Sequence, residues 1–352
     1  MHKEKTTSQS FFLNRLEGGG IVSLWSIAAL YIGGLIGAGF ASGQELVVFF
    51  VNHGRAGLWG VLLAILFLFL GTVLILDYCA KQNVTSYGEL FARLDPRFKG
   101  LFDLLYTAFL LIGNSVMLAG VGAMGSTRLT ELLFRLVTAI LILAVLHKGM
   151  EGVAKTSGWL APFLVLILCA LAFQGLQRHG MHLPEFTSWR GLEAAALYGS
   201  YNLGFSMAVL ASVHSRVKTT GERWKLALVS NLILGVCMVL LFFALASLSP
   251  QELLSPFPLE HVVKGWGPVA LAGYRLMLWG AMYSTAIAHS LALATRITNA
   301  HSVSWSRASL LIVAVSFIFS YFGFNTLIRI AYPILGLAGL WIIANLARQR
   351  IS

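Results

Sequence analysis

The chain has 352 residues, of which 57% are hydrophobic and only 11% charged, against the roughly 25% charged residues of a soluble domain. A soluble fold is excluded on that ground. The net charge of +11 does not call for a nucleic-acid partner, because the cations sit in short segments between apolar runs, where they set membrane orientation.

In chain order the apolar runs cover 18–44, 56–76, 104–127, about 129–146 (which contains Arg135), 156–177, 194–213, 226–251, 276–295, 308–322 and 330–347. A bilayer core of about 30 Å needs about 20 apolar residues in a helix. The reading is an all-α polytopic membrane protein of about ten transmembrane helices, with the lipid bilayer as its surroundings. Counted by loops, seventeen Lys and Arg fall on one side and five (Arg55, Arg128, Arg178, Arg190, Lys264) on the other. That bias places both termini on the cytoplasmic side of a bacterial inner membrane, with residues 1–15 as a polar tail. No small-residue cleavage site follows the first run, which is therefore expected to act as the insertion signal itself. Cys79, Cys169 and Cys237 lie in or at the ends of apolar runs without metal-type spacing and read as packing residues.

The first run is the most informative. Between Gly33 and Gly43 it holds five glycines in eleven residues, Gly33, Gly34, Gly37, Gly39 and Gly43, each costing about 1 kcal/mol relative to Ala inside a helix. One reading is close helix packing through small residues. The other is an unwound stretch near the bilayer midplane, whose freed N–H groups face an anionic ligand group while freed carbonyls face a cation. The density of Gly37-Ala38-Gly39 and Ser42-Gly43 favours unwinding. Glu45 follows six residues after Gly39. Its open roles are a gate, proton carriage or contact with a substrate amine, or a static ion pair.

Further along, Gly113-Asn114-Ser115 puts a polar side chain, Asn114, into the third run. The sixth contains Tyr198-Gly199-Ser200-Tyr201-Asn202-Leu203-Gly204, two glycines and four polar side chains amid apolar sequence. Polar groups facing lipid would be expensive, so this patch is expected to face protein or water, either as a binding surface or as a hydrogen-bonded helix interface. The eighth carries Tyr283-Ser284-Thr285 and, one turn later, His289, a residue able to carry a proton or to be satisfied by a neighbouring helix. Arg329 lies in the tenth, while Arg135 and Arg275 are expected to reach the outer interface.

Setting Gly39-Phe40-Ala41-Ser42 against Gly204-Phe205-Ser206-Met207 gives an offset of 165 residues that carries most of the first five runs onto the last five. Five spans per half is an odd number, so the halves sit in opposite orientations. The organisation expected is one transporter-like membrane domain over 1–352, a 5+5 inverted repeat with halves at about 20–177 and 190–348, the first and sixth helices both broken.

The run Ile36-Gly37-Ala38-Gly39-Phe40 resembles the glycine motif in the first helix of the amino acid, polyamine and organocation transporter superfamily. The fuller string GAGFASGQE is similar to that of the YkvI-like bacterial membrane proteins, regarded as amino acid permeases. The resemblance implies the LeuT-type fold and a secondary transporter for an amino acid or similar small carboxylated solute. It would place the solute carboxylate on the amides of Ala38, Gly39 and Phe40, beside Gly37 and Ser42. Tyr198, Ser200, Tyr201 and Asn202 would hold the other end and Asn114 would face the cavity. In this fold Glu45 and Arg329 would approach each other as an outer gate. In sodium-coupled members hydroxyls like those of Ser284 and Thr285 join carbonyls of the first helix around sodium; Glu45 and His289 point instead to protons. No other cofactor is expected, and the oligomeric state is not readable. The alternative function is a nutrient-sensing receptor subunit of the same fold. An enzyme is not expected, because no HExxH, paired-histidine spacing or nucleophile elbow occurs.

Overall fold

The computed structural model describes residues 24–84, 87–147, 160–179, 185, 188–300 and 303–351; the expected tail at 1–15 lies outside them. Among the described residues seven helices are long and apolar enough to cross a membrane. Of the ten spans expected, the other three are the interrupted first segment, Leu160–His179, whose apolar stretch is Leu164–Gln177, and Arg190–Val213 with its polar patch.

The first segment is built from three pieces. Helix α1 (Leu24–Leu35) stops at Ile36 and at Gly37, whose backbone is extended, and α2 (Ala38–Ser42) follows. Gly43 then turns into the left-handed region at φ 83° and α3 (Gln44–Phe49) resumes. Only glycine takes that conformation without a steric cost. The glycine density therefore marks two real interruptions.

The remaining long helices are α4 (Arg55–Gln82), α5 (Lys99–Ala123), α6 (Arg128–His147), α7 (Leu160–His179), α8 (Arg190–Val213) and α9 (Thr220–Ala246). After a short helix, α10 (Pro258–Lys264), come α11 (Pro268–Ala300), α12 (Trp305–Phe319) and α13 (Tyr332–Ile351). Between the last two, Gly323 at φ 84° reverses the chain, and a π-helical turn, Leu327–Ala331, leads into α13.

Packing partners occur in pairs related by exchanging the two halves. Helix α4 packs on α8 as α9 packs on α1; α5 on α6 as α11 on α12; α7 on α9 as α13 on α4. This is the packing of an inverted repeat. It yields one body of α1, α4, α8 and α9 and a second of α5, α6, α11 and α12, flanked by α7 and α13. Small residues bring the helices close: a Cβ on Gly336 of α13 would stand 2.8 Å from the carbonyl oxygen of Leu197 in α8.

One expectation is corrected. Helix α8 runs without a break through Gly199 and Gly204. Its polar side chains bond back to their own helix, Asn202 Nδ2 to the Tyr198 carbonyl and Ser206 Oγ to the Asn202 carbonyl, each at 3.0 Å. Its glycines are notches, since a Cβ on Gly204 would meet the Phe109 ring at 2.6 Å. Arg135 is also corrected: it is buried, 3.6 Å from Glu131, with its guanidinium over the Tyr321 ring at 4.7 Å.

Candidate functional site

Where α1 gives way to α2, a small cavity lies between the two bodies. The first segment contributes Gly34, Leu35, Gly37 and Glu45, and α8 contributes Tyr201, Asn202 and Phe205. The opposite body supplies Met117 from α5 with Thr285 and His289 from α11, and Tyr332 closes the space from α13. Six residues anticipated from sequence thus converge here: Gly37, Glu45, Tyr201, Asn202, Thr285 and His289.

Glu45 is the centre of the arrangement. It stands in the first turn of α3, 3% exposed, and its side chain folds back across the left-handed turn onto α2. Tyr201 donates its hydroxyl to the carboxylate at 2.6 Å. The contact with α2 is so close that a Cβ on Gly39 would lie 2.6 Å from Cγ of Glu45. Glycine at 39 is what admits the carboxylate. This side chain occupies the place beside α2 expected for a solute carboxylate.

Around it stands an aromatic wall. The Tyr201 ring lies 4.8 Å from that of Tyr332 and 6.0 Å from that of Phe205, and Phe205 stacks on His289 at 5.4 Å. His289 rests against Gly113 of α5, where a Cβ would come within 2.9 Å of Nδ1, and that nitrogen is buried without a hydrogen-bond partner.

Other candidates are placed elsewhere. Asn114 donates to Ser316 of α12 at 2.8 Å, and Ser200 donates to the Gly336 carbonyl of α13 at 2.7 Å, so both join helices and do not line the cavity. Tyr198 packs its ring on Phe50, 5.0 Å between centroids. Ser42 caps the interruption, donating to the Gly39 carbonyl at 3.0 Å and accepting from the Gln44 N–H at 3.2 Å. Ala38 and Phe40 are buried in α2. Ser284 donates to the Ala281 carbonyl of its own helix at 3.0 Å, which leaves Thr285 alone on the cavity side. The expected pairing of Glu45 with Arg329 is not formed: Arg329 is exposed, and the carboxylate is held by Tyr201.

Phe205, Tyr332 and Met117 were not anticipated. Phe205 directly follows the Gly199–Gly204 patch, which was a usable signal; Tyr332 and Met117 carry none, because each is one apolar-helix residue among many.

The side of the cavity towards α10 is shut by short contacts. Tyr274 of α11 donates to the Ala41 carbonyl of α2 at 3.0 Å, and Arg275 holds Glu260 of α10 through two hydrogen bonds of 2.6 and 3.1 Å. Leu259 of α10 fits against Gly43.

A break in the first helix, a sixth helix beside it, and third and eighth helices across a central cavity define the LeuT-type fold of secondary transporters. Solved structures agree. MhsT in complex with L-phenylalanine superposes with a TM-score of 0.68 at 16% identity, covering 92% of this chain and 88% of that one. Inward-facing Mhp1 gives 0.58 at 16% identity over 92% of this chain and 76% of its own, and Mhp1, a nucleobase-cation-symport-1 family transporter, closed with bromovinylhydantoin bound, gives 0.53 at 14% identity over 89% and 74%.

Among curated sequences, two Bacillus subtilis (strain 168) proteins are similar over nearly their whole length. The uncharacterized membrane protein YkvI is 27% identical over 328 residues, 91% of this chain and 94% of YkvI. The uncharacterized protein YyaD is 29% identical over 326 residues, 90% of this chain and 94% of YyaD. No family model matches the chain.

Proposed function

We propose that this membrane protein is a secondary active transporter for a small organic solute of amino-acid size, moved by alternating access and coupled to a sodium or proton gradient. The observation that carries the reading is the cavity between the two bodies, with a buried carboxylate at the interruption of its first helix. A charged residue inside a membrane segment is costly and is kept where a substrate or ion pathway needs it. Amino acids are the expected class, and they share their amino group with the simple amines. Thr285 favours sodium as the coupling ion; Glu45 with His289 favours protons.

Uptake of labelled amino acids and amines into proteoliposomes, with sodium and proton gradients imposed separately, tests this. Accumulation driven by one of the gradients is expected. Binding without accumulation under either gradient would overturn transport in favour of a receptor.

A further inference from the structure

The chemistry of the central site bears on which end of a solute it recognises, an inference that rests on the transporter reading above. An amino acid brings both an ammonium and a carboxylate. A site for it must offer donors or a cation to the second group as well as an acceptor to the first. Here the place beside α2 that would serve a carboxylate is filled: Glu45, a fixed part of the chain, lies over Gly39 and accepts from Tyr201. No described lysine or arginine pairs with Glu45, and none lines the cavity.

We propose that the site takes the ammonium group of a small amine lacking a carboxylate, with Glu45 supplying from the protein the carboxylate that an amino acid would bring itself.

The energetics decide between the two ends. A solute carboxylate entering the cavity meets a like charge a few Å away in a medium of low dielectric, with no fixed cation between them. Such a placement is unfavourable, because like charges at that range repel strongly in low dielectric. An ammonium meets the opposite sign at the same distance. It also lies beside the rings of Tyr201, Phe205 and Tyr332, which line the same space. Asn202, Thr285 and the unpartnered Nδ1 of His289 remain as hydrogen-bonding groups on the cavity wall, suited to the polar tail of the amine. Gly39 belongs to the same device, because only a residue without a Cβ lets the Glu45 side chain lie against α2.

The test uses purified full-length protein and matched pairs that differ by one carboxylate: phenethylamine against phenylalanine, isopentylamine against leucine, cadaverine against lysine, with choline as a permanently charged amine. Binding is read by thermal shift and by tryptophan fluorescence. At least one amine is expected to bind and its amino acid to bind more weakly. Glu45→Gln, nearly isosteric, is expected to weaken that amine more than about thirtyfold, the lower end for removing one partner of a buried charge pair. If Glu45→Gln does not fold, the pairwise comparison on the unmodified protein still decides.

Tighter binding of the amino acids, with Glu45→Gln neutral or improving them, would overturn the amine assignment and leave the transporter reading standing. So would the absence of binding for every amine while other solutes are still accumulated. Loss of gradient-driven accumulation for every solute removes the transporter reading itself, and this inference with it.

Discussion

The hydroxyl of Tyr274 donates to the carbonyl of Ala41 at 3.0 Å. It joins α11 of one body to α2, the short piece on which the Glu45 carboxylate rests. The bond therefore spans the interface between the two bodies.

Removing it with Tyr274→Phe is expected to loosen closure of the cavity and leave the fold intact. A net hydrogen bond of about 0.5–1.5 kcal/mol corresponds to about two- to tenfold in the open population. The check is the rate of thiol labelling at Thr285→Cys, in a background without Cys79, Cys169 and Cys237. An unchanged rate would show that the bond is not part of the closure.

Gly39→Ala is expected to spare the fold and disable the site. The atoms in the way of the new Cβ belong to the flexible end of Glu45, which can swing aside but not remain on α2. Gradient-driven uptake should fall more than about tenfold, since a 1 Å misplacement of a positioned group costs about that or more, with little change in melting temperature. Retained uptake would separate Gly39 from the placement of Glu45.

Gly43→Ala should do the reverse. A Cβ there is strained by the left-handed φ of 83° and meets Leu259 Cγ at 2.9 Å and Leu245 Cδ2 at 3.0 Å. The conformational term alone is about 1–2 kcal/mol. A clear drop in thermal stability in detergent is expected, and a melting temperature equal to the unmodified protein would refute it.

Arg223→Ala is expected to cost about 3–5 kcal/mol, the range for leaving one partner of a buried pair uncompensated. Arg223 Nε lies 2.7 Å from Asp77 Oδ1, and the guanidinium also donates to the Lys218 carbonyl and Thr220 Oγ1. Chemical unfolding of the single variants and of Arg223→Gln with Asp77→Asn measures it. The double change should cost less than the sum of the two single ones.

The membrane class and the interrupted first helix were legible because they depend on local composition: apolar length, and a glycine density too costly to be idle. Gly37, Glu45, Tyr201, Asn202, Thr285 and His289 were legible as rare polar or flexible positions in apolar helices. What could not be read is where such side chains turn. Asn114 and Ser200 face neighbouring helices and Asn202 bonds its own backbone, and that choice depends on helix rotation, which a helix apolar on every face does not record. Likewise Glu45 and Tyr201 meet across 156 residues of sequence. The continuity of α8 followed the same rule, since its glycines answer to Phe67 and Phe109 on other helices.

The placement of the ion pairs has a mechanical consequence. Asp77 and Arg223 both belong to the body of α1, α4, α8 and α9; Asp103 and Arg296 both belong to the body of α5, α6, α11 and α12. Neither pair bridges the two. A rotation of one body against the other would carry each of these two pairs along as a passenger. What such a rotation would give up includes the Tyr274–Ala41 hydrogen bond and the contacts of α10, among them Arg275 with Glu260.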